Sequence, residues 1–425
     1  MTCPVHRAAD SPQAHLGTDT IVLDPLVRDL AAEGRALLAA GPIARVELPG
    51  GVPVLAVTRH AEARRLLNDP RLVKDINAWG AWQRGEISEE WPLIGLAAPP
   101  RSMLTVDGAE HRRLRAKIAQ ALTPRRVQLL RPGIERVTER LLAGLDAQPA
   151  GEPVDLKAHF AYPLPMAVIC ELMGIDPADQ PELRSLFDEF FNTQTPPARV
   201  PRMIAELHAI FARTVEEKRA RPGDDLTSAL ILADDGGERL TDDEITNTLQ
   251  LMIAAGHETT IALINNAVRG LLAHPDQRAL VRDGEISWET VIEETLRWSS
   301  PTSHVLIRFA TEDIEVGDAV IPRGEGLITS YVAIGWDEEQ HGPSAREFDI
   351  TRPTPIRHMS FGHGPHVCPG APLSRLEAAV ALPALFARFP ALAPAVPDEE
   401  LTRRPNVTQN DLTELPVLLH GPAPH

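Results

Sequence analysis

The sequence predicts a mainly α-helical fold with small β-sheets, and three observations carry that prediction. Long amphipathic patterns at helical spacing dominate the chain between about residues 107 and 273. Short strand-like runs around glycine or proline turns lie outside that helical block, before about residue 60 and after about residue 310. No repeat or low-complexity linker interrupts the sequence, so a tail over residues 1–18 and a single domain over 19–425 is the economical organisation.

The elements follow in order. "ARVELPGGVPVLAVTRHAEARRLLND" reads as two strands around Gly50-Gly51 and then a helix from about His60. Residues 76–100 lack periodicity and read as a long loop. Helical patterns then occupy about 107–122, 124–147, 157–174, 181–192, 200–221 and 241–273. Strands return in "DIEVGDAVIPRGEGLI", with Pro322-Arg323-Gly324 as the turn, and in "TELPVLLH" near the end.

Composition bounds the function. Apolar residues make up 43% and charged residues 24% of the 425, as in a globular protein with a large core. The net charge of −17 argues against general affinity for nucleic acid or anionic membranes. Three cysteines, Cys3, Cys170 and Cys368, cannot make a disulfide framework, which points to a reducing compartment. The N-terminal stretch has no signal-peptide pattern, and no segment has the ~18 uncharged apolar residues of a membrane span, so a cytoplasmic protein is expected.

Four stretches carry chemistry. In "MSFGHGPHVCPGAPLSRLEAAVAL", Cys368 sits between glycine and proline clusters ahead of a helix. Gly362, Gly364 and Gly370 would let backbone N–H groups approach the sulfur, and the helix dipole favours a thiolate. An inert cysteine in a buried turn is one alternative; zinc held by His363, His366 and Cys368 is another, lacking a fourth ligand. In "LMIAAGHETTIALINNAV", Ala255-Gly256 are small residues within an apolar helix, followed by the acid–alcohol pair Glu258-Thr259. Burying either polar group unpaired costs roughly 1–3 kcal/mol. Thr259 can bond back to a carbonyl one turn earlier, or the pair can order water and pass protons. No histidine completes a zinc-protease H-E-x-x-H. Glu294 and Arg297 in "WETVIEETLRW" share a helix face, as surface pairs commonly do. In "GAEHRRLRAKIAQAL", His111 and Arg115 project from one face as an anion-binding pair would, with Arg112, Arg113 and Lys117 making the remaining surface basic.

Together, in this order, these stretches resemble the cytochrome P-450 family over about residues 40–420. Phe361, Gly364, His366, Cys368 and Gly370 match its haem-binding signature; Ala255, Gly256, Glu258 and Thr259 match its oxygen-activating helix motif; Glu294 and Arg297 match its E-x-x-R motif. The resemblance implies a fold that holds haem b (iron protoporphyrin IX) between a long central helix and the cysteine loop, with Cys368 as the thiolate ligand. It implies that Phe361 shields the sulfur, that Ala255 and Gly256 make room for dioxygen, and that Glu258 and Thr259 deliver protons. His111, Arg115, Arg308 and His366 match positions that hold the haem propionates, and Glu294 and Arg297 would be structural. Cys3 and Cys170 match no motif position, and His363 has no assigned role. Two departures stand out: Gly335-Trp336-Asp337 replaces the usual Asn-Arg-Asp, and Arg346 is a displaced candidate for the third arm of the Glu-Arg-Arg network.

The resemblance further implies a monomeric monooxygenase fed by NAD(P)H through a ferredoxin reductase and a ferredoxin, with Arg112 and Arg113 as a docking face. Substrate contacts would come from Trp79, Trp82, Leu93, Ile94, Phe187, Phe191, Met252, Ala255, Val305, Leu306, Val407 and Leu412. Few charges enter that set, so the expected substrate is bulky and lipophilic, steroid-like or macrolide/polyketide-like. The rivals are a peroxide-dependent haem enzyme, against which Glu258-Thr259 counts, and a haem-binding carrier or sensor without turnover.

Overall fold

The helix Asp242–Ala273 is the axis of the fold, and its sequence explains its length. Thr241 and Glu244 close a reciprocal capping box, and Asp242 and Asp243 place further negative charge at the N-terminal end of the helix dipole. From Ile261 to Ala267 every side chain is buried, because other helices surround this stretch. Packed against it are Pro163–Met173, Val200–Ala220, Trp288–Trp298 and Ala371–Arg388, which together form the main hydrophobic core. The computed structural model describes residues 19–191, 195–235, 237–353 and 357–421; the tail expected over residues 1–18, with Cys3, lies outside them.

Beside the helices stands a six-stranded sheet in the order Thr20–Val22, Ile43–Leu48, Val52–Val57, Gly326–Ser330, His304–Ala310, Leu72–Val73. Ile43–Leu48 and Val52–Val57 pair antiparallel across Gly50-Gly51, both at positive φ (93° and 77°), as a tight turn requires. Gly326–Ser330 lies parallel to Val52–Val57 and antiparallel to His304–Ala310. A second hydrophobic cluster fills this lobe, with Trp79 stacked on Phe309 (centroids 5.3 Å apart) and tilted against Trp91 (6.3 Å).

Several boundaries differ from the sequence expectation. The pattern over 124–147 is two helices, Pro124–Leu129 and Arg131–Asp146, with proline opening each. That over 157–174 begins as a wide turn, Lys157–Ala161, before Pro163–Met173. Ile314–Val316 and Ala319–Ile321 form their hairpin over Gly317 (φ 58°), while residues 322–325 lead to the larger sheet. The stretch 76–100 holds short helical turns, Ile76–Ala78, Gly80–Gln83 and Ile94–Ala97. Among the described residues, no helix is long and apolar enough to cross a membrane.

Candidate active site

The cysteine loop is closed by its own backbone. Gly362 N donates to Met359 O, Val367 N to Gly364 O and Cys368 N to Phe361 O, at 2.7, 3.1 and 2.8 Å. Gly362 and Gly364 take positive φ. A Cβ on Gly364 would lie 2.7 Å from Leu67 O and from Asn68 Oδ1, so this glycine seats the loop on the end of the helix His60–Leu66. Gly370 is the glycine near the sulfur: its missing Cβ would stand 3.7 Å from Cys368 Sγ. Arg375 lies over the Phe361 ring at 4.5 Å, which fixes that ring beside the loop.

Cys368 is exposed, yet desolvation by surrounding protein pushes its thiol upward. Those two facts fit a sulfur facing an internal opening. The N–H groups of Gly370 and Ala371, with the charges of Arg115 and Arg375, pull the other way and favour the thiolate. By contrast, Cys170 is core: burial pushes its thiol to about 12, and Met166 Sδ lies 3.9 Å away. Among the described residues no group of three or more His, Cys, Asp and Glu is placed to hold a metal ion, which removes the zinc alternative.

Thr260 Oγ1 donates to Ser374 Oγ at 3.2 Å, one residue past Thr259 and six past Cys368. This contact fastens the central helix to the helix that follows the cysteine. Ala255 is exposed in the middle of a packed helix, and Thr259 donates back to its carbonyl at 2.7 Å. Gly256 faces elsewhere: a Cβ there would meet Ile169 Cδ1 at 3.0 Å, so its smallness serves helix packing rather than making room at the opening. Glu258 is buried, and Arg404 Nη1 donates to its Oε2 at 2.5 Å. Burial raises this carboxyl to about 7, against the pull of Arg404 and Lys157 and with the push of Asp411 and Asp188.

The structure gathers His111, Arg115, Arg308 and His366, and adds two groups that sequence reasoning missed, Lys74 and Asp107. His366 Nε2 lies 3.3 Å from Asp107 Oδ1, its ring 4.1 Å from that of His111, and Lys74 N donates to Asp107 Oδ2 at 2.6 Å. Desolvation lowers Arg115, Arg308, His366 and Lys74, and takes His111 down to about 4 with help from the charge of His366. Lys74, His111, Arg308 and His366 thus share the one carboxylate of Asp107, Arg115 lies toward Cys368 and His111, and the buried atoms His111 Nε2 and Arg308 Nε have no hydrogen-bond partner. A ligand with two carboxylates beside a thiolate-bound metal fits this donor set, and haem is such a ligand.

Other expectations are corrected. Arg113 is committed to Glu244 and, at 3.3 Å, Glu238, and Lys117 is buried and donates to Glu238 O at 2.6 Å. Arg112 alone of these three is exposed, and Arg113 is half-buried in its ion pairs. A side chain that walls a ligand cavity keeps surface open to it. Trp79, Phe187 and Leu412 have at most 1% of theirs open, and all three belong to hydrophobic cores. Trp82, Leu93 and Ile94 pack half-buried against the sheet-lobe core, Met252 against the helical core, and Val407 is buried. The side chains of Phe191, Val305 and Leu306 lie outside the described residues. The third arm of the Glu294–Arg297 network is Arg352, whose Nε donates to Glu294 Oε1 at 3.1 Å; Arg346 is a surface residue 3.3 Å from Glu338.

Comparison with known proteins agrees with this geometry. The family model described as Cytochrome P450 matches residues 195–284 and 288–415. CYP154C4 from Streptomyces sp. W2061 is 67% identical, with a TM-score of 0.91 over 96% of this chain and 100% of its own. A structure described as "Testerone bound CYP154C4 from Streptomyces sp. ATCC 11861" is 66% identical, with the same TM-score and the same two coverages. The 2-hydroxy-5-methyl-1-naphthoate 7-hydroxylase of Streptomyces carzinostaticus is 40% identical over 94% of this chain and 98% of its own.

Proposed function

The chain belongs to the cytochrome P450 family, and from that premise we propose that it hydroxylates an uncharged, steroid-like lipophilic substrate with electrons from NAD(P)H, passed by a ferredoxin reductase and a ferredoxin. It is a haem b monooxygenase; Cys368 would hold the haem, which supplies the activation of dioxygen. Lys74, His111, Arg115, Arg308 and His366 would hold the propionates, and Glu258 with Thr259 would move protons to the distal side.

The substrate class rests first on the testosterone-bound relative, alike over 96% of this chain. A steroid is a rigid apolar body without charge. The naphthoate named for the 40% relative instead carries a carboxylate, and the basic groups described around the site have other uses: Lys74, His111, Arg115, Arg308 and His366 would be taken up by the haem propionates, and Arg404 pairs with Glu258. Titrating the haem-loaded protein with testosterone is therefore expected to shift the haem spin state, and a hydroxynaphthoate is expected to leave it unchanged. The reverse result would reassign the substrate class to aromatic polyketide acids. Hydroxylated steroid formed with a surrogate ferredoxin and reductase completes the test.

The relay makes its own prediction. Glu258→Gln should lower product formation on the order of 10²-fold and send electrons into hydrogen peroxide instead, because one positioned proton donor is gone. Thr259→Ala should show the same diversion. Glu258 is protonated below about 7, so wild-type coupling of cofactor oxidation to product should fall as pH rises through that value. Coupling that is flat with pH and unchanged in both variants would remove these residues from the relay.

A further inference from the structure

Glu258 is held by two different neighbours, one on each oxygen. Its Oε2 accepts from Arg404, while its Oε1 lies 3.8 Å from Nδ1 of His257, a ring with no exposed surface. The state of that ring follows from its other side. His257 Nε2 lies 3.1 Å from the carbonyl oxygen of Tyr162, and a carbonyl only accepts, so Nε2 carries the hydrogen and Nδ1 presents a lone pair. The Tyr162 ring meets the imidazole edge-on at 4.7 Å and fixes its orientation. Nδ1 is buried and has no hydrogen-bond partner. With Glu258 ionised, an acceptor therefore faces an acceptor.

We infer that the Glu258 carboxyl alternates between two positions, ionised on Arg404 and protonated on His257 Nδ1, and that His257 is the positioning residue for the protonated form. Each position satisfies what the other leaves bare. A carboxyl O–H turned toward the ring closes the gap to hydrogen-bond length with a movement of about 1 Å. Arg404, whose side chain is 26% exposed, then gives its freed guanidinium to water. The proton balance is simple: one proton enters from water on the Arg404 side, rests between Glu258 and His257, and leaves toward the neighbouring Thr259. The Thr259 hydroxyl donates to Ala255 O and offers its lone pairs to the incoming proton; as it accepts that proton it releases the hydrogen it holds to the next acceptor in the relay and so stays neutral. Nothing is oxidised or reduced in these steps.

The surroundings poise the carboxyl between its two forms. Arg404 reaches it from the C-terminal segment, as does Asp411, which is itself paired with Lys157; Asp188 acts from the helix Gln180–Phe191, whose Arg184 acts on His257. Burial holds the Glu258 proton to about 7 and keeps the imidazole neutral down to about 4, so near neutrality the ring is an acceptor and the acid is partly protonated.

The inference rests on Glu258 being the relay carboxyl, and an infrared titration separates the two claims. In the haem-loaded protein, the carbonyl stretch of protonated Glu258 is identified by its loss in Glu258→Gln. His257→Phe keeps the ring and removes the acceptor. Its band is expected at higher frequency, vanishing at lower pH than in the wild type, with more electrons released as hydrogen peroxide and an unchanged reduced-CO spectrum. Arg404→Gln should preserve the frequency and hold the band to higher pH. An unmoved band in His257→Phe overturns the inference; should that variant not fold, an unmoved midpoint in Arg404→Gln overturns it instead. Unchanged coupling in Glu258→Gln would remove the relay while leaving the infrared result standing.

Discussion

The Cys368→Ser variant is expected to fold, to lose the red-shifted reduced-CO band of thiolate-ligated haem, and to form product roughly 10³-fold more slowly, about 4 kcal/mol of barrier at 1.36 kcal/mol per tenfold. Serine is nearly the same size, so the bond from residue 368 N to Phe361 O and the Arg375–Phe361 contact should persist. What changes is the donor. The environment of Cys368 is arranged for a soft anion: the Gly370 and Ala371 N–H groups and the charges of Arg115 and Arg375 all favour a thiolate, against the cost of burial. A serine hydroxyl ionises far less readily and binds a metal more weakly as a neutral group. The thiolate's electron donation, on which O–O cleavage depends, goes with the sulfur. A variant that kept the band would show that Cys368 is not the ligand, whatever its activity.

The cysteine loop, the acid–alcohol pair and the Glu294–Arg297 pair were legible because each is a short local pattern whose residues meet through nearby backbone. The helices were legible where apolar spacing runs for several turns, as in Asp242–Ala273. Contacts across long loops were not. Arg404 and Glu258 are 146 residues apart, and no local period announces that they pair. Arg346 looked like the third network arm from its position, yet the chain turns so that Arg352 enters the core and Arg346 stays in water. Aromatic content alone could not tell cavity wall from core at Trp79, since either role wants a large apolar side chain. The same holds for Lys117, whose charge suggests surface although its ammonium is spent on a backbone carbonyl. The departure at Gly335 has a clear reason in three dimensions: a Cβ there would stand 2.2 Å from Arg297 O.

That close approach leads to the largest stability effect expected of any single substitution here, Arg297→Ala. Arg297 and Glu294 have no exposed side-chain surface, and their two bonds, 2.7 and 2.6 Å, form a parallel fork. The same guanidinium donates to the carbonyls of Gly335 (2.8 Å), Ala345 and Glu347 (2.7 Å), and Glu294 also accepts from Asp349 N and Arg352. One ion pair thus organises residues 335–352, the segment that leads into the cysteine loop. Removing the arginine leaves a buried carboxylate with reduced compensation and the carbonyls of Gly335 and Ala345 unpaired, while Glu347 O keeps Arg352 Nη2, a loss of about 3–5 kcal/mol. Urea unfolding should show that loss together with poor haem retention. Arg297→Lys should recover little, because an ammonium cannot make the fork and reach three carbonyls in one plane. Arg352→Ala should cost less than Arg297→Ala, since Glu294 keeps its main partner. Arg346→Ala should stay within about 0.5 kcal/mol of wild type, as surface positions do. An Arg346 effect as large as that of Arg352 would contradict the network; an Arg297→Ala protein that unfolds like wild type would show that this pair does not hold the meander.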